Sequence, residues 1–338
     1  MRPRSRSPSG AAATTQGKLL DYTGMRLIGT RYALDRALTQ DERADQLRQE
    51  RRLEIAPAYE LSVVKVNSTF LESVDRYYAW RGYLFFIMVV LSAGLSLFYL
   101  LFSASCIGDL LDPSKVDVRA ENYGSLAFIN AICLPPLAFL IYAALQESFT
   151  YTYFPIRLNR KNRKVYVFRP GRPNKSVLEA DWDKIFFTLG ACNVGLVPGQ
   201  NWDIRGHILD ADRKIVLDTF AFSMYSMSKD SLRRHWEFLR RYMEDGPREA
   251  FEEVEVCMPL ADRRESFVFA FQRFRVNFKG VGGLWIALLP IWLASIVARW
   301  AAGLTCRVPR WPTEIEAACR LETPDPYARD ASVNPVEA

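Results

Sequence analysis

LFFIMVVLSAGLSLFYLLFSA, residues Leu84 to Ala104, has no charged side chain, with Arg81 before it and no charge after it until Asp109. A window of about 19 apolar residues is what a hydrocarbon core about 30 Å thick requires. Two further stretches share the pattern. SLAFINAICLPPLAFLIYAAL, Ser125 to Leu145, contains Asn130 and the pair Pro135 and Pro136, which lack N–H donors and predict a helix kink. VGGLWIALLPIWLASIVA, Val281 to Ala298, is shorter and lies between Lys279 and Arg299, whose side chain is expected to snorkel to the interface. The sequence therefore predicts three transmembrane helices, at 84–104, 125–145 and 281–303. A removable signal peptide does not fit, because the first apolar run begins more than 80 residues in, behind an arginine-containing N-terminus with no apolar core.

The charged flanks orient these spans. The connection 105–124 carries Lys115 and Arg119 among Asp109, Asp112, Asp117 and Glu121, whereas Arg157, Arg160, Lys161, Arg163, Lys164, Arg169, Arg172 and Lys175 follow the second span. Basic residues resist translocation, so the loop is expected outside and the segment after it in the cytoplasm. Counting three crossings sends the tail 304–338 outside. There Cys306 and Cys319 would meet an oxidising compartment and could pair, two free thiols being the alternative.

Between the second and third spans, the 146–280 region reads as a cytoplasmic β-rich domain. FTYTYFPIRLN and KVYVFRPG flank the turn RKNR, SVLEADWDKIFFTLGA follows, and DADR at Asp210–Arg213 separates two more strand-like runs. Leu232, Trp236, Leu239 and Met243 then recur on one face of a helix at 229–245, ended by Gly246 and Pro247. Antiparallel strands closed by a C-terminal helix suggest a pleckstrin-homology-like sandwich by analogy, so the fold class expected is membrane α-helical plus one cytoplasmic α+β domain. Arg160, Lys161, Arg163 and Lys164 on the first hairpin, with Arg233, Arg234, Arg240 and Arg241 on the helix, are candidate contacts for anionic lipid, each worth about 1 kcal/mol near a surface. A solvated basic face is the plainer alternative. Upstream, 1–17 is too polar to build a core and is expected disordered. In the region 18–83, Thr39 with Glu42 marks a capping box opening a helix to about Leu53, and Tyr77, Tyr78, Trp80 and Tyr83 form an interfacial aromatic group.

Chemistry is hard to place on this chain. Lys and Arg total 44 against 38 acids, a net charge of +6 too mild and dispersed for a nucleic-acid-binding protein. The 6 cysteines show no CxxC spacing, and His207 and His235 are the 2 histidines, so neither a zinc site nor any cofactor is implied. Both histidines read as structural. Asp181 and Asp183 flank Trp182 like a carboxylate pair, yet acids near a turn more often face solvent. NST at Asn67 matches a glycosylation acceptor but falls on the cytoplasmic side. Within the spans, Asn130 reads as packing, and Ser92 and Ser96 make a weak helix-association step. An enzyme is not expected.

NSTFLESVDRYYAWRG, FPIRLNRKNRKVYVFRPG, DWDKIFF and CRVPRWPTEIEAACRLE together resemble a family of uncharacterised proteobacterial membrane proteins encoded near type VI secretion genes, over about residues 59–330. The resemblance implies a non-enzymatic inner-membrane protein of interbacterial competition, an immunity or accessory factor that acts by binding a secreted toxin or a secretion-system component. A membrane-inserting, depolarising effector and a lipid-contacting scaffold are the alternatives. The resemblance transfers no functional residues.

Overall fold

A computed structural model describes residues 19–21, 31–78, 81–170, 176–192, 201–277, 284–321 and 324–334. The stretch 1–17, Trp80, Arg172, Lys175, Lys279 and the start of the third apolar segment lie outside them.

The chain opens with a short antiparallel ribbon, β1 (Leu19–Asp21) on β2 (Arg31–Ala33). It continues through β3 (Arg36–Ala37), α1 (Gln40–Ala44), β4 (Gln46–Leu47), β5 (Val63–Val66) and β6 (Phe70–Ser73). Two long helices follow, α2 (Tyr83–Leu111) and α3 (Arg119–Ser148), and then six strands: β7 (Ile156–Asn159), β8 (Lys164–Phe168), β9 (Val177–Asp181), β10 (Phe186–Cys192), β11 (Asn201–Leu209) and β12 (Ile215–Ser226). The helices α4 (Lys229–Glu244), α5 (Pro247–Glu253), α6 (Phe267–Asn277), α7 (Leu284–Thr305) and α8 (Thr313–Ala318) complete it.

Two antiparallel five-stranded sheets result, ordered β5-β6-β7-β8-β9 and β3-β12-β11-β10-β4. Residues 31–78 are thus no separate region, since they supply strands to both sheets. The helix expected from Thr39 to Leu53 stops at Ala44. Its capping box forms, with Thr39 Oγ1 accepting from Glu42 N–H at 3.2 Å, but Gln46 and Leu47 leave the helix to pair with Thr188 and Phe187 of β10. With so thin an apolar face, the helix gains less by continuing than the chain gains in the sheet.

One core lies between the sheets and under α4. Leu232, Trp236, Leu239 and Met243 are all buried, and Trp236 stacks on Trp182 at 5.6 Å and meets Phe187 at 4.7 Å. Burial of an apolar side chain contributes about 1.5–3 kcal/mol, so this face fixes α4. Ser228 caps its N-terminus. The DADR turn closes on itself, Asp210 Oδ1 accepting from the N–H groups of Lys214 at 2.7 Å and Ile215 at 3.0 Å.

The expected fold class needs correction on three points. First, among the described residues two helices, α2 and α3, are long and apolar enough to cross a membrane, and Leu289–Thr305 of α7 forms a shorter apolar helix. Second, the β region is not one sandwich confined to 146–280, because both sheets recruit strands from before α2. Third, the tail is not on the far side of anything. Arg307 and the segment before β7 bond in both directions, Arg307 N–H to Thr150 O and Thr152 N–H to Arg307 O, each at 2.8 Å. Ile315 and Cys319 pack on Phe70 and Tyr166, and Arg329 exchanges two backbone bonds with Val66. Counting spans failed because α6 and α7 leave and rejoin the body on one side: Phe267 meets Trp300 edge-on at 6.3 Å, and Arg264 Nε donates to Cys306 O at 3.1 Å.

Candidate functional site

The connection between β6 and β7 decides what the molecule presents. These strands are hydrogen-bonded neighbours, Ser73 opposite Ile156 and Phe70 opposite Asn159, yet the whole α2–α3 hairpin lies between them in sequence. The hairpin is apolar on its outside: Leu97, Leu101, Phe128 and Phe139 are each more than half exposed. In the most apolar window of α2, mean hydropathy 2.5, no residue is buried; in that of α3, mean hydropathy 2.0, 17% are. Several of the hairpin's polar groups are satisfied within it, while Ser103 Oγ and Asn122 Nδ2 are buried without a hydrogen-bond partner. Tyr99 donates to Asn130 Oδ1 at 2.8 Å, Asn130 Nδ2 donates to Leu126 O at 2.7 Å, and Ser92 donates to Met88 O at 2.6 Å. Asn130 is therefore a packing residue. α3 continues as one helix through Pro135 and Pro136.

A collar of charged side chains joins the hairpin to the body. Glu147, in the last turn of α3, accepts the backbone N–H groups of Gly82 and Phe85 at 2.5 Å each, capping the start of α2. A carboxylate suits the positive end of that helix. Arg299 of α7 donates to Glu265 at 2.8 Å and to the carbonyls of Tyr78 at 3.0 Å and Arg81 at 2.7 Å. It is a clamp, not a snorkelling residue. Gly82 is required twice over: its φ is +86°, and a Cβ there would stand 2.4 Å from Arg299 Cα. Tyr83 packs edge-on against Trp292 at 6.2 Å, so α7 lies along the first turns of α2.

Most basic residues expected to touch lipid are engaged inside the protein. Arg160 donates to Ser68 O, and Arg163 bridges Asp183 and Glu244. Lys164 pairs with Glu179, Arg233 with Asp230, and Arg234 donates to Ala56 O. Arg240 and Arg241 both hold the fully buried Glu237, and Arg241 also donates to Ile55 O at 3.0 Å. The arginine face of α4 grips the segment before β5. Lys161, in the β7–β8 turn, acts electrostatically on Asp325.

The remaining candidates resolve as structure. Asp183 takes Arg163, which holds its carboxyl below the usual range, and Asp181 takes Lys184 at 2.7 Å. His235 Nδ1 donates to Ala58 O at 3.1 Å, and burial depresses its imidazole to about 4. His207 Nδ1 lies 2.9 Å from Thr219 Oγ1 and its Nε2 3.3 Å from Glu42; burial lowers its pKa against the pull of that carboxylate. Burial alone would raise Glu42, but hydrogen bonds from His207, Arg36 and Thr39 hold it far below the carboxylate range. Asn67 is 3% exposed, its Oδ1 accepting from Thr69 and Phe70 N–H in the β5–β6 turn. Cys306 and Cys319 are free and buried: the first thiol faces the carbonyls of Ala302 and Ser148, the second the amide of Asn159. The disulfide does not form, because the tail brings each to a different part of the body.

Sequence reasoning missed a cleft of about 510 Å³ where α1 meets the free end of β10. Tyr32, Trp202, Arg205, Lys229 and Asp45 line it. Lys229 pairs with Asp45 at 2.6 Å and lies over the Trp202 ring at 5.3 Å, while Arg205 lies over Tyr32 at 5.0 Å. Only long-range pairing assembles these groups, so no local signal marks them. Among the described residues, no group of His, Cys, Asp and Glu is arranged to hold a metal.

An α+β body of two sheets carrying an exposed apolar helical hairpin and a charged collar defines the architectural class. Residues 135–323, more than half the chain, match the family of unknown function DUF6708, and the chain belongs to that family. No curated protein and no solved structure matches it. The matched region runs from the middle of α3 to just past α8 and so includes Glu147, Glu265 and Arg299 of the collar.

Proposed function

We propose that this chain is a non-enzymatic membrane protein, anchored by α2 and α3, whose body acts by binding a protein partner. The observation that carries the reading is the outer surface of the hairpin, apolar along its length and almost wholly unburied. A helix rises about 1.5 Å per residue, so either helix exceeds the roughly 30 Å of a hydrocarbon core. Exposed apolar surface on this scale marks a membrane or partner contact. On this reading the Gly82–Glu147 collar sits at the interface nearer the body, and the Asp109–Lys115 connection sits at the other. The body and the tail share one side, which the basic flank after α3 assigns to the cytoplasm.

The resemblance to proteins encoded beside type VI secretion genes supplies the biological setting: an inner-membrane immunity or accessory role, with a secreted toxin or secretion-system component as partner. The 510 Å³ cleft, which mixes aromatic and charged groups, supports binding as the mode of action.

The topology test uses single cysteines in a background without the native ones, at Ser114, Asp212 and Ser332. Asp212 and Ser332 are expected to label from the cytoplasmic side and Ser114 from the opposite one. Equal labelling of all three from one side, or release of the protein from membranes by alkaline carbonate, overturns the anchor. For the role, co-expression with each neighbouring gene is expected to rescue growth from one toxic product. Depolarisation by this chain alone would instead make it the effector.

A further inference from the structure

We propose that a notch at the base of the hairpin, lined by Arg81, Gly82, Thr152, Glu265, Arg299 and Cys306, binds the phosphate of a membrane phospholipid. The inference rests on the membrane reading above and adds a ligand to it.

Arg81 is 8% exposed, and among the described residues its one hydrogen-bond contact is to Cys306 Sγ at 3.8 Å. A guanidinium carries five N–H donors, so most of its capacity is unmet. The surrounding carboxylates do not meet it. Asp75 accepts from Phe154 N–H and Tyr77 N–H, Glu147 from Gly82 N–H and Phe85 N–H, and Glu265 from Arg299 and the Tyr78 hydroxyl. They bear on Arg81 as charges but leave its donors unfilled. Thr152 Oγ1, in the same notch, is buried with no hydrogen-bond partner. A buried hydroxyl such as that of Thr152 is costly to leave unpaired, and the largely buried Arg81 beside it is a cation with donors to spare.

Two unmet donors converging on one notch call for an acceptor oxygen, and a cation among them calls for an anionic one. The space inside is about 20 Å³, enough for one oxygen-sized group and no more. A non-ester oxygen of a phosphodiester fits, with the ester arms left outside. The notch opens beside the first residue before α2 and the last turns of α7, with Trp300 on its rim. In the membrane reading that is headgroup depth, where Arg and Trp side chains meet lipid.

The test is thermal unfolding of the full chain in a non-ionic glycoside detergent, titrated with phosphatidylglycerol, with diacylglycerol of the same acyl chains, or with inorganic phosphate. Phosphatidylglycerol is expected to raise the melting temperature of the wild type and diacylglycerol to leave it unchanged. Arg81→Gln should weaken the response about 100-fold and Thr152→Val about 10-fold, the range for a charge-assisted and a neutral hydrogen bond. Because Thr152→Val removes an unpartnered hydroxyl, its lipid-free melting temperature should not fall, which separates lost binding from lost folding. Equal shifts from both lipids, or variants that respond like the wild type, overturn the site and leave it a water pocket. Inorganic phosphate matching the phospholipid at equal concentration overturns the lipid as its source. Arg81→Gln should still resist carbonate extraction; extraction of the wild type would overturn the membrane anchor instead.

Discussion

Gly82→Ala should unfasten the hairpin from the body. The new side chain must adopt φ near +86°, which costs an L-residue about 1–2 kcal/mol. Its Cβ would also stand 2.4 Å from both Cα and Cβ of Arg299, so the backbone of α7 has to move. Overpacking of that kind costs about 1–3 kcal/mol, and the two terms together give roughly 2–5 kcal/mol. Displacing α7 also pulls Arg299 from Glu265 and from the carbonyls of Tyr78 and Arg81. The assay is near-ultraviolet circular dichroism of the detergent-purified chain during heating, where roughly a 4–10 °C drop in melting temperature is expected. Gly94→Ala, in the interior of α2 with nothing within 4 Å, is the matched control and should not lower it. If both variants melt together, the close contact of α2 and α7 is not what holds the collar.

Three further outcomes follow from the body. His235 is buried neutral with its pKa depressed from 6.5 to about 4, so the unfolded chain takes up a proton that the folded one refuses. Stability present above pH 6.5 should therefore fall by about 3 kcal/mol as the pH drops to about 4, and denaturant midpoints for His235→Gln should flatten over that window. Arg240→Gln leaves Glu237 buried with fewer partners and should cost about 3–5 kcal/mol in a denaturant titration, without changing binding to anionic vesicles. Reductant should not alter the mobility of the denatured, alkylated chain on a gel, since Cys306 and Cys319 are free; a reductant-sensitive band would refute their placement.

How far the sequence reached depends on the range of each interaction. Hydropathy is local, so the apolar character of α2 and α3 is readable from Leu84–Ala104 and Ser125–Leu145. The face of α4 is equally plain, because Leu232, Trp236, Leu239 and Met243 lie on successive turns. Pairing is not local. Nothing near Glu72 announces that it sits opposite Arg157, which donates to it at 2.6 Å while stacked 4.8 Å from Trp311. That sandwich explains why β7 is buried on both faces and lacks the polar outer side that its alternation suggests. The partners of the charges are hidden for the same reason: a basic run beside an apolar segment reads as a topogenic flank, and nothing in it announces that Arg163, like Arg241 of α4, also holds acids from elsewhere in the chain. Two signals for the collar are present: Glu147 is the lone acid closing the second apolar stretch, and Gly82 stands where the first begins.

The insertion of the hairpin between two adjacent strands sets an order of assembly during synthesis. β6 leaves the ribosome with its next partner still about 80 residues away, which at roughly 5–20 residues per second is a wait of several seconds. Throughout that interval β3, β4 and the outer edge of β6 remain without the strands that will pair with them, while α2 and α3 emerge. The first sheet can close only when β7 arrives from the far end of the hairpin, and the second only when β12 does. The segment 146–280, expressed alone, would lack both β5–β6 and β3–β4, so it is not a unit of folding. On the proposed membrane reading, insertion and sheet closure are steps of a single event, and the hairpin would organise the body as well as anchor it.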